Sequence, residues 1–143
     1  MRLFEPLDAQ RPDAAFARGL APCLAAFLGR PEVRRELEAI EIRSAKSLPP
    51  AHRLMTTFEL EGALTSALHS GGAYTRAVGE ERARVLSRQF VDALVADRRL
   101  TCSVFAIEGA WTRWFHDVAW DYSYVLLDPV GRALWMLFMT DTD

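Results

Sequence analysis

The chain has one lysine among seventeen basic residues, only two cysteines, and no run of eighteen apolar residues. Each shortage excludes something. A membrane-crossing helix needs about twenty consecutive apolar residues to cover the hydrocarbon core, and no segment supplies them, so no membrane partner is expected. Cys23 and Cys102 stand 79 positions apart, one in a helical and one in a strand pattern, and both read as small buried hydrophobes and not as a disulfide framework. The N-terminal stretch Met-Arg-Leu-Phe-Glu-Pro-Leu-Asp lacks the continuous apolar core of an export signal, which makes the cytoplasm the expected location. The sixteen-to-one excess of arginine over lysine is read as a compositional bias of the source genome.

Catalytic signatures are also missing. There is no HExxH, nucleophile elbow, phosphate loop or dinucleotide fingerprint, and no cofactor is expected. Gly71-Gly72 is too short for a phosphate-binding loop and reads as a hinge or turn. His52 and His69 are isolated and read as surface or capping residues. Cys102 and Ser103 lie in a strand pattern with no evident base, which leaves nucleophilic catalysis without support.

What is present is a chain of 143 residues, half of them hydrophobic, without repeats or a composition break. That is enough to bury one core, so residues 1–143 are expected to form a single domain, helix-rich over 1–99 and β-rich over 100–143. Pro12 opens a helical pattern whose stripe is Phe16, Leu20, Cys23, Leu24, Phe27 and Leu28, interrupted at Pro22. Pro31 restarts a short helix through Glu38. Ile40 to Arg43 alternate like a strand, and Arg53 to Glu59 have the β-branched and aromatic content of another.

Leu60 to His69 suit a helix ended by Ser70-Gly71-Gly72. Glu80 to Arg98 form a stronger one, with Ala83, Leu86, Phe90, Ala93 and Leu94 as the expected buried stripe and Arg98 and Arg99 closing it in the sense the helix dipole favours. Leu100 to Ile107 read as a strand. The fold class that follows is α+β, with N-terminal helices packed on one side of a mainly antiparallel sheet of three to five strands ending in a C-terminal β-hairpin.

The hairpin can be read to the level of register. Tyr122 to Leu127 and Arg132 to Met139 flank Asp128-Pro129-Val130-Gly131, which suits a three-residue loop with Gly131 in the left-handed region. Asp128 then pairs with Arg132, every cross-strand pair sums to 260, and both faces are apolar, which predicts a central position in the sheet.

Residues 107 to 143 hold two bases and six acids, net −4, against +2 for the rest, together with all four tryptophans. Such an end repels phosphate backbones, so no nucleic acid is expected, and a partner should be basic. Under the 260 register Asp121, Asp141, Asp117 and Asp143 are odd-numbered and project from one face at the open end of the hairpin. Beside them stand Trp111, Trp114 and Trp120. The favoured reading is a small cytosolic bacterial protein-binding module of immunity or inhibitor type, with Asp117, Asp121, Asp141, Asp143, Trp111, Trp114 and Trp120 as the contact residues for a protein with a basic surface. A homodimer through an uncovered sheet face is also allowed. Two alternatives stand beside it: a small metal-dependent hydrolase using His116, Asp117 and Asp121, and a ligand pocket lined by Trp111, Trp114, Trp120 and Tyr122.

Overall fold

A computed structural model describes residues 26–27, 29–38, 52–74, 76–107, 109, 114–115 and 118–141. The expected helix from Pro12, apart from Ala26 and Phe27, lies outside them. The expected strand Ile40 to Arg43, Cys23, Trp111, His116, Asp117 and Asp143 also lie outside them. In chain order the elements are helix α1 (Pro31–Glu36), strand β1 (His52–Met55), helices α2 (Thr57–Ser70) and α3 (Glu80–Val95), and strands β2 (Ser103–Ile107), β3 (Tyr122–Asp128) and β4 (Ala133–Met139). The α+β expectation holds. The strands form one antiparallel sheet in the order β1-β2-β3-β4.

The strand expected over Arg53 to Glu59 stops at Met55, because Thr56 caps a helix instead. Its hydroxyl accepts the Glu59 N–H at 3.1 Å, and the Glu59 carboxylate accepts the Thr56 N–H at 2.6 Å. This reciprocal box satisfies two donors that a helix start otherwise leaves open. Helix α2 buries Thr57, Leu60 and Leu64, and ends at Gly71, whose φ of 69° favours glycine.

Helix α3 is turned relative to expectation. Ala83 and Leu94 are buried as predicted, but Ser87, Val91 and Val95 join them, while Leu86, Phe90 and Ala93 sit on the exposed side. The helix ends at Val95, so Arg98 and Arg99 lie beyond it and serve other partners.

Side chains alternate across the sheet and feed two cores. On one face α2 and α3 pack Leu60, Leu64, Val91, Leu94 and Val95 against Met55, Val104, Tyr124 and Leu126. On the other, Phe27, Val33 of α1 and Phe115 pack against Ile107, Val125 and Leu127. Described helical segments therefore cover both faces, not one. Strand β3 is buried over six of its seven residues, whereas every residue of β4 is only partly buried. The hairpin is thus half central and half edge: β4 has β3 alone as its neighbour among the described residues.

Register differs from expectation by one. Tyr122 pairs with Met139, Leu126 with Trp135 and Asp128 with Ala133, so pairs sum to 261 across a four-residue loop. The left-handed residue is Arg132, at φ 52°, and not Gly131. Gly131 is needed for space: a side chain there would run into the Asp128 carboxylate and the Arg98 guanidinium.

Candidate functional site

The shifted register decides where the acids go. Extending the ladder past β3 and β4 places Asp121 opposite Thr140, so Asp141 falls on the other face. The Thr140 hydroxyl indeed donates to Asp121 Oδ1 at 2.6 Å. Asp121 Oδ2 accepts the Val118 N–H at 2.9 Å, while the Asp121 N–H donates to the Val118 carbonyl at 3.0 Å. These bonds close the turn 118–121 and fasten it to the end of β4. Trp120, 36% exposed, sits at the corner of that turn.

Asp141 holds a different loop. Its Oδ2 accepts the Tyr74 N–H at 2.9 Å, a contact spanning 67 positions. A side chain at Gly72 would overlap the same carboxylate, so glycine is what lets the loop after α2 come this close. Tyr74 itself is 67% exposed. Two loops are therefore pinned to the consecutive residues Thr140 and Asp141, and each displays an aromatic side chain. Sequence reasoning missed Tyr74. Its signal was Gly71-Gly72 two residues before an aromatic, but the tie to Asp141 is long-range.

The expected single-faced acidic cluster is accordingly not formed by Asp121 and Asp141, which sit at the same end of the hairpin and anchor different loops. Both are half-buried. Trp114 departs from the set as well. Its ring packs edge-on to Phe115 at 5.1 Å and lies 6.4 Å from Phe138, which makes it part of a core. Of the three tryptophans proposed for contact, Trp120 is the one that is both described and exposed.

The other end of the hairpin is built differently. Asp128 is 1% exposed. Its Oδ1 accepts N–H groups from Val130 at 3.1 Å and Gly131 at 2.8 Å, and Arg98 Nε donates to Oδ2 at 2.7 Å. Burial alone would raise the Asp128 carboxyl, but the Gly131 N–H, the Arg98 guanidinium and the Val130 N–H outweigh it and hold the group below its ordinary value. The arginine at position 98 gains correspondingly, raised by the same carboxylate.

Nearby, burial and then the Asp128 charge push the Cys102 thiol up to about 11, so it is protonated at neutral pH and is no nucleophile. Arg99 forms a second knot, pairing with Asp92 at 2.7 Å and with Glu61 and lying 5.4 Å from the Phe58 ring centroid.

His52 meets Phe105 edge-on at 5.8 Å, and His69 Nδ1 lies 3.2 Å from the Val78 carbonyl. Both act in packing or loop closure. Among the described residues no group of three His, Cys, Asp or Glu side chains could hold a metal ion. Of the set His116, Asp117 and Asp121, only Asp121 is described, and both its oxygens are engaged. No helix among the described residues is long and apolar enough to cross a membrane. Compared with known proteins, the chain matches no family model, no curated protein and no solved structure.

Proposed function

We propose that the chain is a small cytosolic protein-binding module, of the immunity or inhibitor type that neutralises a cognate bacterial toxin or enzyme. Its contact end is the open end of the hairpin, with Trp120 and Tyr74 as anchors and Asp121 and Asp141 as positioning and steering groups. The observation that carries this reading is the pinning of turn 118–121 and the Tyr74 loop to Thr140 and Asp141. An exposed aromatic on a hydrogen-bonded turn loses little conformational freedom on binding, which is the property of an interface anchor. Two carboxylates at the same end favour a basic partner and speed its approach.

The test begins with capture from the native host, identification of the captured protein, and measurement of binding with both proteins purified. Trp120→Ala is expected to raise the dissociation rate by about tenfold or more, the cost of removing an anchor. Asp141→Lys is expected to slow association, with the effect fading as salt rises. Wild-type kinetics in Trp120→Ala and Tyr74→Ala, with unchanged melting, would reject this end as the contact surface.

A further inference from the structure

We infer that the chain forms a weak closed homodimer through the turn end of the hairpin, with the turn around Leu100 of one copy lying against the turn around Val130 of the other. The surface is at the end of the sheet away from Tyr74 and Trp120, and nothing in it depends on the proposed contact.

Two short turns meet there. In the first, the Arg98 carbonyl accepts the N–H groups of Thr101 at 3.0 Å and Cys102 at 3.2 Å, and the Thr101 hydroxyl at 3.0 Å. In the second, the Asp128 carboxylate accepts the Val130 and Gly131 N–H groups. The Arg98–Asp128 pair ties one turn to the other, and a side chain at Gly131 would come within 3.1 Å of the Arg98 guanidinium. The turns are therefore fixed neighbours. Turn corners usually carry glycine, proline or small polar residues. Here one corner carries Leu100, 88% exposed, and the other Val130, 64% exposed. Covering both removes apolar surface from water at little cost in chain freedom, because the backbone beneath them is already held.

A second copy is the occupant because the two turns are complementary to each other. Beside Leu100 stands Asp97, its side chain 92% exposed and 3.8 Å from the Arg98 guanidinium that Asp128 already holds. Beside Val130 stands Arg132, which is exposed too. A two-fold axis passing between the turns sets the first turn of one copy on the second turn of the other. Leu100 then meets Val130 twice, and Asp97 meets Arg132 twice. The charges beneath are paired within the chain, Arg98 with Asp128 and Arg99 with Asp92 and Glu61, so covering the turns leaves none of these without a partner. Because each copy uses both of its turns, pairing stops at two. Two turns are fewer residues than the roughly 20 a side of a standard stable interface, so the dimer forms reversibly and at high concentration.

Sedimentation of the purified chain up to millimolar concentration tests this. The expected result is a reversible shift from 16.1 kDa toward twice that mass. A single 16.1 kDa species at every concentration overturns the inference, and does so even if the same surface is found to bind a different protein. Assemblies larger than two overturn it as well. Leu100→Asp should weaken self-association about tenfold or more with unchanged melting, and wild-type association in that variant overturns it. Asp97→Arg and Arg132→Asp each bring like charges together and should each sediment as monomers, whereas their equimolar mixture rejoins opposite charges at both contacts and should recover the dimer. A mixture that stays monomeric while wild type dimerises overturns the two-fold arrangement. Should a variant not fold, the amide signals of wild type on dilution decide: changes centred on 97–101 and 130–132 support the pairing, and changes elsewhere or none overturn it.

Discussion

The two ends of the β3–β4 hairpin both carry aspartate and use it for different work. At the turn end, Asp128 is buried and held by a guanidinium and two N–H groups. At the open end, Asp121 and Asp141 are half-buried and fasten loops that display Trp120 and Tyr74. Charge counting treats all three residues alike. Burial separates a structural lock from a pair of loop anchors.

The sharpest way to break this comparison is to remove the lock. Asp128→Ala leaves the Arg98 guanidinium and two loop N–H groups without their acceptor, and should cost about 3 kcal/mol, or roughly 10 °C in melting temperature. A loss no larger than that of Asp121→Ala would show that the two ends are equivalent. The same lock sets an acid response. The folded-state value of Asp128 lies below its ordinary 3.8, so its contribution is fully present above that value and is lost as pH falls through the folded one. Urea midpoints measured from neutral pH down through the range below 3.8 should therefore fall more steeply for wild type than for Asp128→Asn.

Intermediate effects belong to the open end. Gly72→Ala drives a methyl into the Asp141 carboxylate and should cost about 2 kcal/mol, most of it absent when Asp141 is already alanine. Additive losses would mean that the close approach is not the reason for glycine. Asp121→Ala should cost about 1 kcal/mol and increase the mobility of Trp120, read as lower fluorescence anisotropy with the other indoles replaced.

Much of this architecture was legible in the sequence, and the failures share a cause. Helices α2 and α3, strand β2 and the hairpin follow from periodicity and turn residues. Thr56-x-x-Glu59 is a capping box written in the chain, yet Thr56-Thr57-Phe58 also has strand composition, and the local pattern cannot choose between them. On α3 the larger residues Leu86 and Phe90 suggest the stripe, while the buried face takes the small Ala83 and Ser87.

The register slipped because glycine at 131 was credited with a left-handed backbone, when its role is to make room for Asp128 and Arg98, a pair 30 positions apart. That single step put Asp141 on the same face as Asp121, when the two lie on opposite faces. Tyr74 and Trp120 are brought to one end of the hairpin only through contacts of their loops with Thr140 and Asp141 that no local window contains.

The smallest expected effect reads the lock from inside. Cys102 is a buried free thiol whose raised value owes first to burial and second to the negative charge of Asp128, with Arg98 opposing. In a Cys23→Ser background, Cys102 should react with a disulfide reagent at neutral pH only through opening of the structure, so its rate tracks stability. Asp128→Ala removes the acid and keeps the guanidinium, so the thiol value should move down from about 11, apart from any change in opening. Following the thiolate absorbance of the folded variant against pH separates the two contributions. An unchanged titration would mean that burial alone sets the thiol and that the charge pair, though close, is electrostatically silent at this position.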